Sequence, residues 1–189
     1  MQRMNKLSFQ IQKAEFSNDH EVHPIVDGRD IIGDDYLGLD PPDLVRELTP
    51  SAYGSILIGR CECGCIGCDD VFVDVSSNTK NVTWSTKGKA FEFRISDYST
   101  ALKALADDHS WEDVGRRVER LIAERVRMDK RWASDGTRFD WVSTRVAPFQ
   151  LTYSFTTNGE QRLFETGWDG CDEGNAMRAH SRLFHERFR

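Results

Sequence analysis

The apolar residues of this 189-residue chain change their spacing at about residue 97, and again near residue 139. Before the first change they alternate. Leu7, Phe9, Ile11 and Phe16 keep an approximate two-residue rhythm, as do Val71, Val73 and Val75, then Val82 and Trp84, then Phe91, Phe93 and Ile95. That rhythm places one face of a strand in a core. Beyond residue 97 the rhythm is helical, with Val114, Val118, Leu121, Ile122 and Val126 forming one stripe of 3.6-residue period. Leu151, Tyr153 and Phe155 return to alternation, and "GNAMRAHSRLFHERFR" closes as a helix. Strands, helices, a hairpin and a helix, in that order, do not make the β-α-β alternation of a parallel sheet. The expected class is α+β: a largely antiparallel sheet of six to eight strands with two or three helices packed on one face. One domain over 1–189 is the simplest division, with a second small unit after residue 125 as the alternative.

Turn residues punctuate this pattern. Asp27-Gly28 and Asn158-Gly159 are hairpin signals. Pro41 and Pro42 start a short helix, "PDLVREL", that Pro50 stops. Ser110, with Asp113 three positions later, is the expected cap of the long helix, and Gly115 inside it marks close packing.

Composition narrows the function classes. Eleven Phe and five Trp supply large buried areas although only 39% of residues are apolar, so a folded chain is expected. A formal charge of −6 argues against binding nucleic acid or anionic membranes through overall charge. The longest apolar run, "SAYGSILIG", is far below membrane-spanning length, and the first residues lack the apolar core of a signal peptide. The expected location is the cytoplasm, where clustered cysteines are thiols or metal ligands rather than disulfides.

Four of five cysteines fall in "GRCECGCIGCDD", residues 59–70. As zinc ligands they raise a geometric difficulty. Cys61, Cys63 and Cys65, two apart on a strand, would point to one face about 6.5 Å from one another. Four ligands from one short loop also leave little to staple. Cys171 is a distal candidate; His23, His109 and His180 are uninformative ones. As a redox motif, Cys65-x-x-Cys68 should open a helix, whereas "DDVFVDV" reads as a strand and its aspartates oppose a thiolate. The preferred reading is a glycine-rich strand connection with partly buried thiols, no metal and no cofactor. Whether Cys61, Cys63, Cys65, Cys68 and Cys171 bind zinc stays open.

The run "ILIGRCECGCIGCDDVFVDV", followed by "VTW" and "FEFRISDY", resembles a family of uncharacterised bacterial proteins with the pattern G-x-C-x-C-G-x-x-G-C and then a V-x-W strand. The matching positions are Cys61, Cys63, Gly64, Gly67, Cys68, Val82 and Trp84, with Cys65 an extra thiol. The resemblance spans about residues 50–105 and implies a shared structural motif without an activity.

Elsewhere, Asp27, Asp30, Asp34, Asp35 and Asp40 make an acidic segment without the calcium-loop spacing. His180 and His185, five apart, share a helix face only loosely. Arg116, Arg117, Arg120, Arg125, Arg127, Lys130 and Arg131 form a basic run, but Glu119 and Glu124 interrupt it, the pattern of a solvated face. Trp132 and Trp141 would add an interaction surface if exposed. No nucleophile elbow, phosphate loop or zinc-protease helix occurs, and no catalytic residue is identified. The expectation is a small cytoplasmic binding or interaction protein, with a protein partner or a second copy of itself and neither membrane nor nucleic acid. The alternatives are a metal-assisted hydrolase or thiol-dependent enzyme, and a zinc-stabilised nucleic-acid-binding protein.

Overall fold

The structure, a computed structural model, describes residues 4–14, 19–49, 52–63, 67–133 and 136–188, with Lys130 by its backbone only. The described residues form four α-helices and eleven strands, every pairing antiparallel, in three sheets. The α+β class read from spacing is therefore what the chain adopts. Its strands divide among three sheets, because a two-residue rhythm reports which face is buried and says nothing about which strand lies alongside. The chain groups into two compact units, Met1–Trp111 and Glu112–Arg189.

In the first unit, β1 (Leu7–Lys13), β2 (His20–Val26) and β3 (Arg29–Asp30) pair in that order, Leu7 opposite Val26 and Lys13 opposite His20. Phe16, expected to extend β1, lies outside the described residues. Asp27 and Gly28 both take positive φ, the conformation that a tight two-residue hairpin requires. The second sheet runs β4 (Tyr36–Leu37), β5 (Gly54–Cys61), β6 (Val71–Ser77), β7 (Asn81–Thr86) and β8 (Lys89–Arg94) in sequence order. Between β4 and β5 comes α1 (Pro41–Glu47), opened by Pro41 and Pro42 as expected; Pro50, its expected stop, lies outside the described residues. After β8 comes α2 (Ile95–Asp107). Val71, Val73, Val75, Val82, Trp84 and Phe93 are all buried, as their alternation requires, and Trp84 meets the edges of Phe93 and Tyr98.

In the second unit, α3 (Val114–Met128) and a 3-10 turn (Lys130–Trp132) precede β9 (Thr137–Ser143), β10 (Gln150–Thr157), β11 (Glu160–Gly167) and α4 (Glu173–Arg187). β10 is the central strand, and Leu151, Tyr153 and Phe155 enter one core with Val118, Ile122 and Val126 of α3 and Leu183 and Phe184 of α4. The cap of α3 is Asp113, whose carboxylate accepts from the Arg116 amide at 2.8 Å, in place of the expected Ser110. Ser110 sits three residues earlier, in a turn where its amide and hydroxyl both donate to Asp108. Gly115 is a close-packing position as expected, since a Cβ there would stand 2.7 Å from Thr144 Oγ1. No described helix is long and apolar enough to cross a membrane.

Candidate functional site

The cysteine motif closes the β5–β6 hairpin. β5 ends at Cys61, opposite Tyr36 of β4, and β6 begins at Val71. Because the strand stops there, Cys63 already belongs to a turn, and the expected strand spacing does not extend past Cys61. Instead, the Sγ atoms of Cys61, Cys63 and Cys68 lie within 4.8 Å of one another, those of Cys61 and Cys63 only 2.6 Å apart. Cys65 and Gly64, also part of the motif, fall outside the described residues. The far side of the loop is fixed by its own aspartates. The Gly67 amide donates to Asp70 Oδ2 at 2.9 Å, with Gly67 at φ 77°, and the Tyr36 hydroxyl donates to Asp69 at 2.8 Å. Lys87 lies 4.4 Å from the centre of the Tyr36 ring, which holds that tyrosine from its open side.

The electrostatics of the sulfurs follow from their crowding. Hydrogen bonds from Cys68 to Cys63 and Cys61, and then the charges those thiols acquire on ionisation, push the Cys68 thiol up to about 12. A thiol so reluctant to ionise makes Cys68 a poor nucleophile. A bound cation reverses that balance, because a coordinated thiol gives up its proton outright. A tetrahedral thiolate site with zinc–sulfur bonds of about 2.3 Å has its sulfurs about 3.8 Å apart, so Cys61 and Cys63 would separate by roughly an ångström on binding. Among the described residues Asp70 Oδ1 is buried with no hydrogen-bond partner at the base of this loop, although it is outside the group of converging atoms.

The other candidate ligands are engaged elsewhere. Cys171 lies in the second unit, on the turn before α4, where its amide donates to Asp169 and the Asp169 charge raises its thiol. His180 is buried at 3% exposure, with Nδ1 3.3 Å from the Tyr153 hydroxyl and its ring against Phe184. Burial, and then the nearby Arg125, lower it to about 4, so it is a neutral core residue. His23 is buried too, with Nδ1 2.6 Å from Asp30 Oδ2. An Asp–His pair of this kind suits general-base catalysis when the other ring nitrogen faces a nucleophile. Here that nitrogen meets the Gln12 amide at 3.2 Å and Glu21 at 3.5 Å, so the pair ties β1, β2 and β3 together. His23 and Asp30 are seven apart in sequence with only a hairpin between them, and that proximity was the available clue to their contact.

The acidic segment does not converge. Asp27 accepts from Asn5 and the Lys6 amide, while Asp30 is held by His23 and the Ile32 amide. The basic run is largely neutralised: Arg117 pairs with Glu173, Arg120 with Glu112 and Glu124, and Arg131 with Asp129. Arg116 and Glu119 depart from the expected solvated face, because both are buried and bonded at 2.9 Å. Glu119 Oε1 also accepts from Ser143 Oγ and from the Thr144 amide and hydroxyl, contacts that a one-dimensional pattern of charges does not reveal. Trp132 is half-buried with its indole donating to the Val126 carbonyl, whereas Trp141 is exposed, one strand across from Ser154, which has the exposed Leu163 on its other side. Compared with known proteins, the chain matches no family model, no curated protein and no solved structure.

Proposed function

We propose that this chain is a non-catalytic binding protein whose β5–β6 loop takes up a soft metal ion, zinc first among them, on the thiolates of Cys61, Cys63 and Cys68. The gathering of three sulfurs within 4.8 Å at the end of one hairpin carries this reading. Thiolate sulfur selects zinc, copper(I) or iron–sulfur centres over the hard cations. Three thiols this close repel one another once ionised, and a divalent cation removes that cost. The described members of the cluster are all cysteines, with no histidine or carboxylate among them to act as a base, which favours a structural or carrier site over a hydrolytic one. Thiols this crowded persist in a reducing compartment, which supports the cytoplasm as location. The paired arginines of α3 favour a protein partner or a second copy over nucleic acid.

Elemental analysis of protein purified without added metal, together with a thiol titration, tests the reading. About one zinc per chain is expected, lost in Cys61→Ser and Cys68→Ser while the far-UV circular dichroism is retained. A metal-free protein whose cluster thiols all react rapidly, and which takes up no zinc on addition, would overturn it.

A further inference from the structure

The crowding of the sulfurs has two chemical remedies, and they exclude each other. Cys61 and Cys63 bring their Sγ atoms to 2.6 Å, inside the van der Waals contact of two sulfurs. A disulfide would draw such a pair in to about 2.05 Å. Two thiolates on one zinc ion would instead hold it at about 3.8 Å, the edge of a tetrahedron whose zinc–sulfur bonds are about 2.3 Å. A sulfur bonded to its neighbour is no longer the thiolate that a metal ligand has to be, so the pair serves one partner at a time.

The backbone suits closure of this pair. Cys61 is the last residue of β5 and stands opposite Tyr36 of β4, while Glu62 and Cys63 lie in the turn that follows. Disulfides span Cα separations of about 4.4–6.8 Å, which residues two apart in a turn meet. Cys61 and Cys63 are neighbours by covalent linkage through Glu62 alone, whereas Cys68 reaches them only across the rest of the loop, at a greater cost in chain entropy. Cys63 is exposed and Cys61 half-buried, so a small oxidant in solvent meets Cys63 first.

Resting on the three-thiolate metal site proposed above, we infer that this site is redox-regulated: a small-molecule disulfide such as oxidised glutathione closes Cys61 and Cys63 into a disulfide and thereby releases the metal ion. The Cys63 thiolate attacks one sulfur of oxidised glutathione, expelling one glutathione thiolate and leaving a mixed disulfide. The Cys61 thiolate then attacks the Cys63 sulfur and expels the second. Two electrons pass from the protein pair to the oxidant, whose S–S bond breaks as the protein's forms. The two glutathione thiolates, and the Cys68 thiolate left behind, each take a proton from water. One of the three sulfurs then remains as a ligand, too few to hold the ion. The new ring encloses only Glu62 and constrains little of the unfolded chain, so the change falls on metal affinity rather than on the fold. Because the two states exclude each other, bound metal protects the pair from oxidation to the same degree that oxidation expels the metal.

Treating the zinc-loaded full chain with oxidised glutathione in the presence of a chromogenic zinc indicator tests this. About one zinc per chain should be released as about two glutathione thiols form, and a phosphine reductant followed by zinc should restore the loaded state. Peptide mapping by mass spectrometry, after alkylation of the remaining thiols and cleavage at Glu62, should find Cys61 joined to Cys63. Cys171→Ser should leave both the release and the crosslink as they are, because that thiol belongs to the second unit. Zinc that loads but withstands the oxidant would overturn the inference and spare the metal site. So would zinc lost while only glutathione adducts, or a disulfide between another pair of cysteines, are formed. A reduced chain that takes up no zinc would overturn both.

Discussion

The two units handle crowded polar groups in opposite ways. In the second, Glu119 is buried, yet Arg116, Ser143 and Thr144 satisfy it from several sides. In the first, Cys61, Cys63 and Cys68 are crowded at an exposed loop, their Sγ atoms within 4.8 Å of one another. A buried charge is tolerable only when fully paired, so the Glu119 network reads as architecture. Groups that converge without neutralising one another suit the metal ion proposed above. The difference between the units is that between a buried carboxylate held from several sides and a group of thiols that the proposed metal ion would join.

The sharpest way to break this contrast is to open the completed network. Glu119→Ala removes the buried carboxylate that Arg116, Ser143 and Thr144 share and should cost the second unit about 3–5 kcal/mol, read by denaturant unfolding. A change below about 1 kcal/mol would mean that the network is ornamental. The same curves bear on domain organisation: one transition that shifts as a whole means a single cooperative domain over 1–189, whereas a shift in one of two transitions means that the units unfold separately.

Supplying zinc to the thiols is the next test. Zinc at a thousandfold excess over its dissociation constant should stabilise the first unit by about 4 kcal/mol, and Cys68→Ser should abolish that gain. An equal gain in the variant would place the zinc elsewhere.

Acid probes the buried side of the comparison through His180. Its folded pKa, about 4, lies below the ordinary 6.5, so the unfolded chain takes up the proton first as pH falls. The stability it contributes is full above pH 6.5 and declines between pH 6.5 and 4, by about 3 kcal/mol in all. His180→Phe, measured by thermal unfolding across that window, should flatten the decline. The smallest expected effect is at Gly115→Ala, where the new methyl meets Thr144 Oγ1. Overpacking slightly outweighs the gain in helix propensity, giving about 1 kcal/mol of destabilisation in the same assay.

Much of the scaffold was legible in the chain. Val71, Val73 and Val75 announced β6, the Val118–Ile122–Val126 stripe announced α3, and Asn158-Gly159 announced the β10–β11 turn, which both residues make with positive φ. Lys87-Gly88 makes the same kind of turn between β7 and β8 and was missed, because lysine at a positive φ carries no sequence signal. The site was legible as a glycine-rich connection between two strands, which the β5–β6 hairpin is, but the convergence of its sulfurs was not. Extending β5 through the motif kept its sulfurs strand distances apart, whereas ending it at Cys61 lets them meet.

By itself the sequence determined which segments are strands and helices and which side of each is apolar, because those properties depend on neighbours within a few positions. Only the tertiary structure decided the division into three sheets, the burial of Arg116 with Glu119, and the approach of three sulfurs. Each of these depends on where a strand ends or which element lies beside it, and such distances are set by packing among residues far apart along the chain.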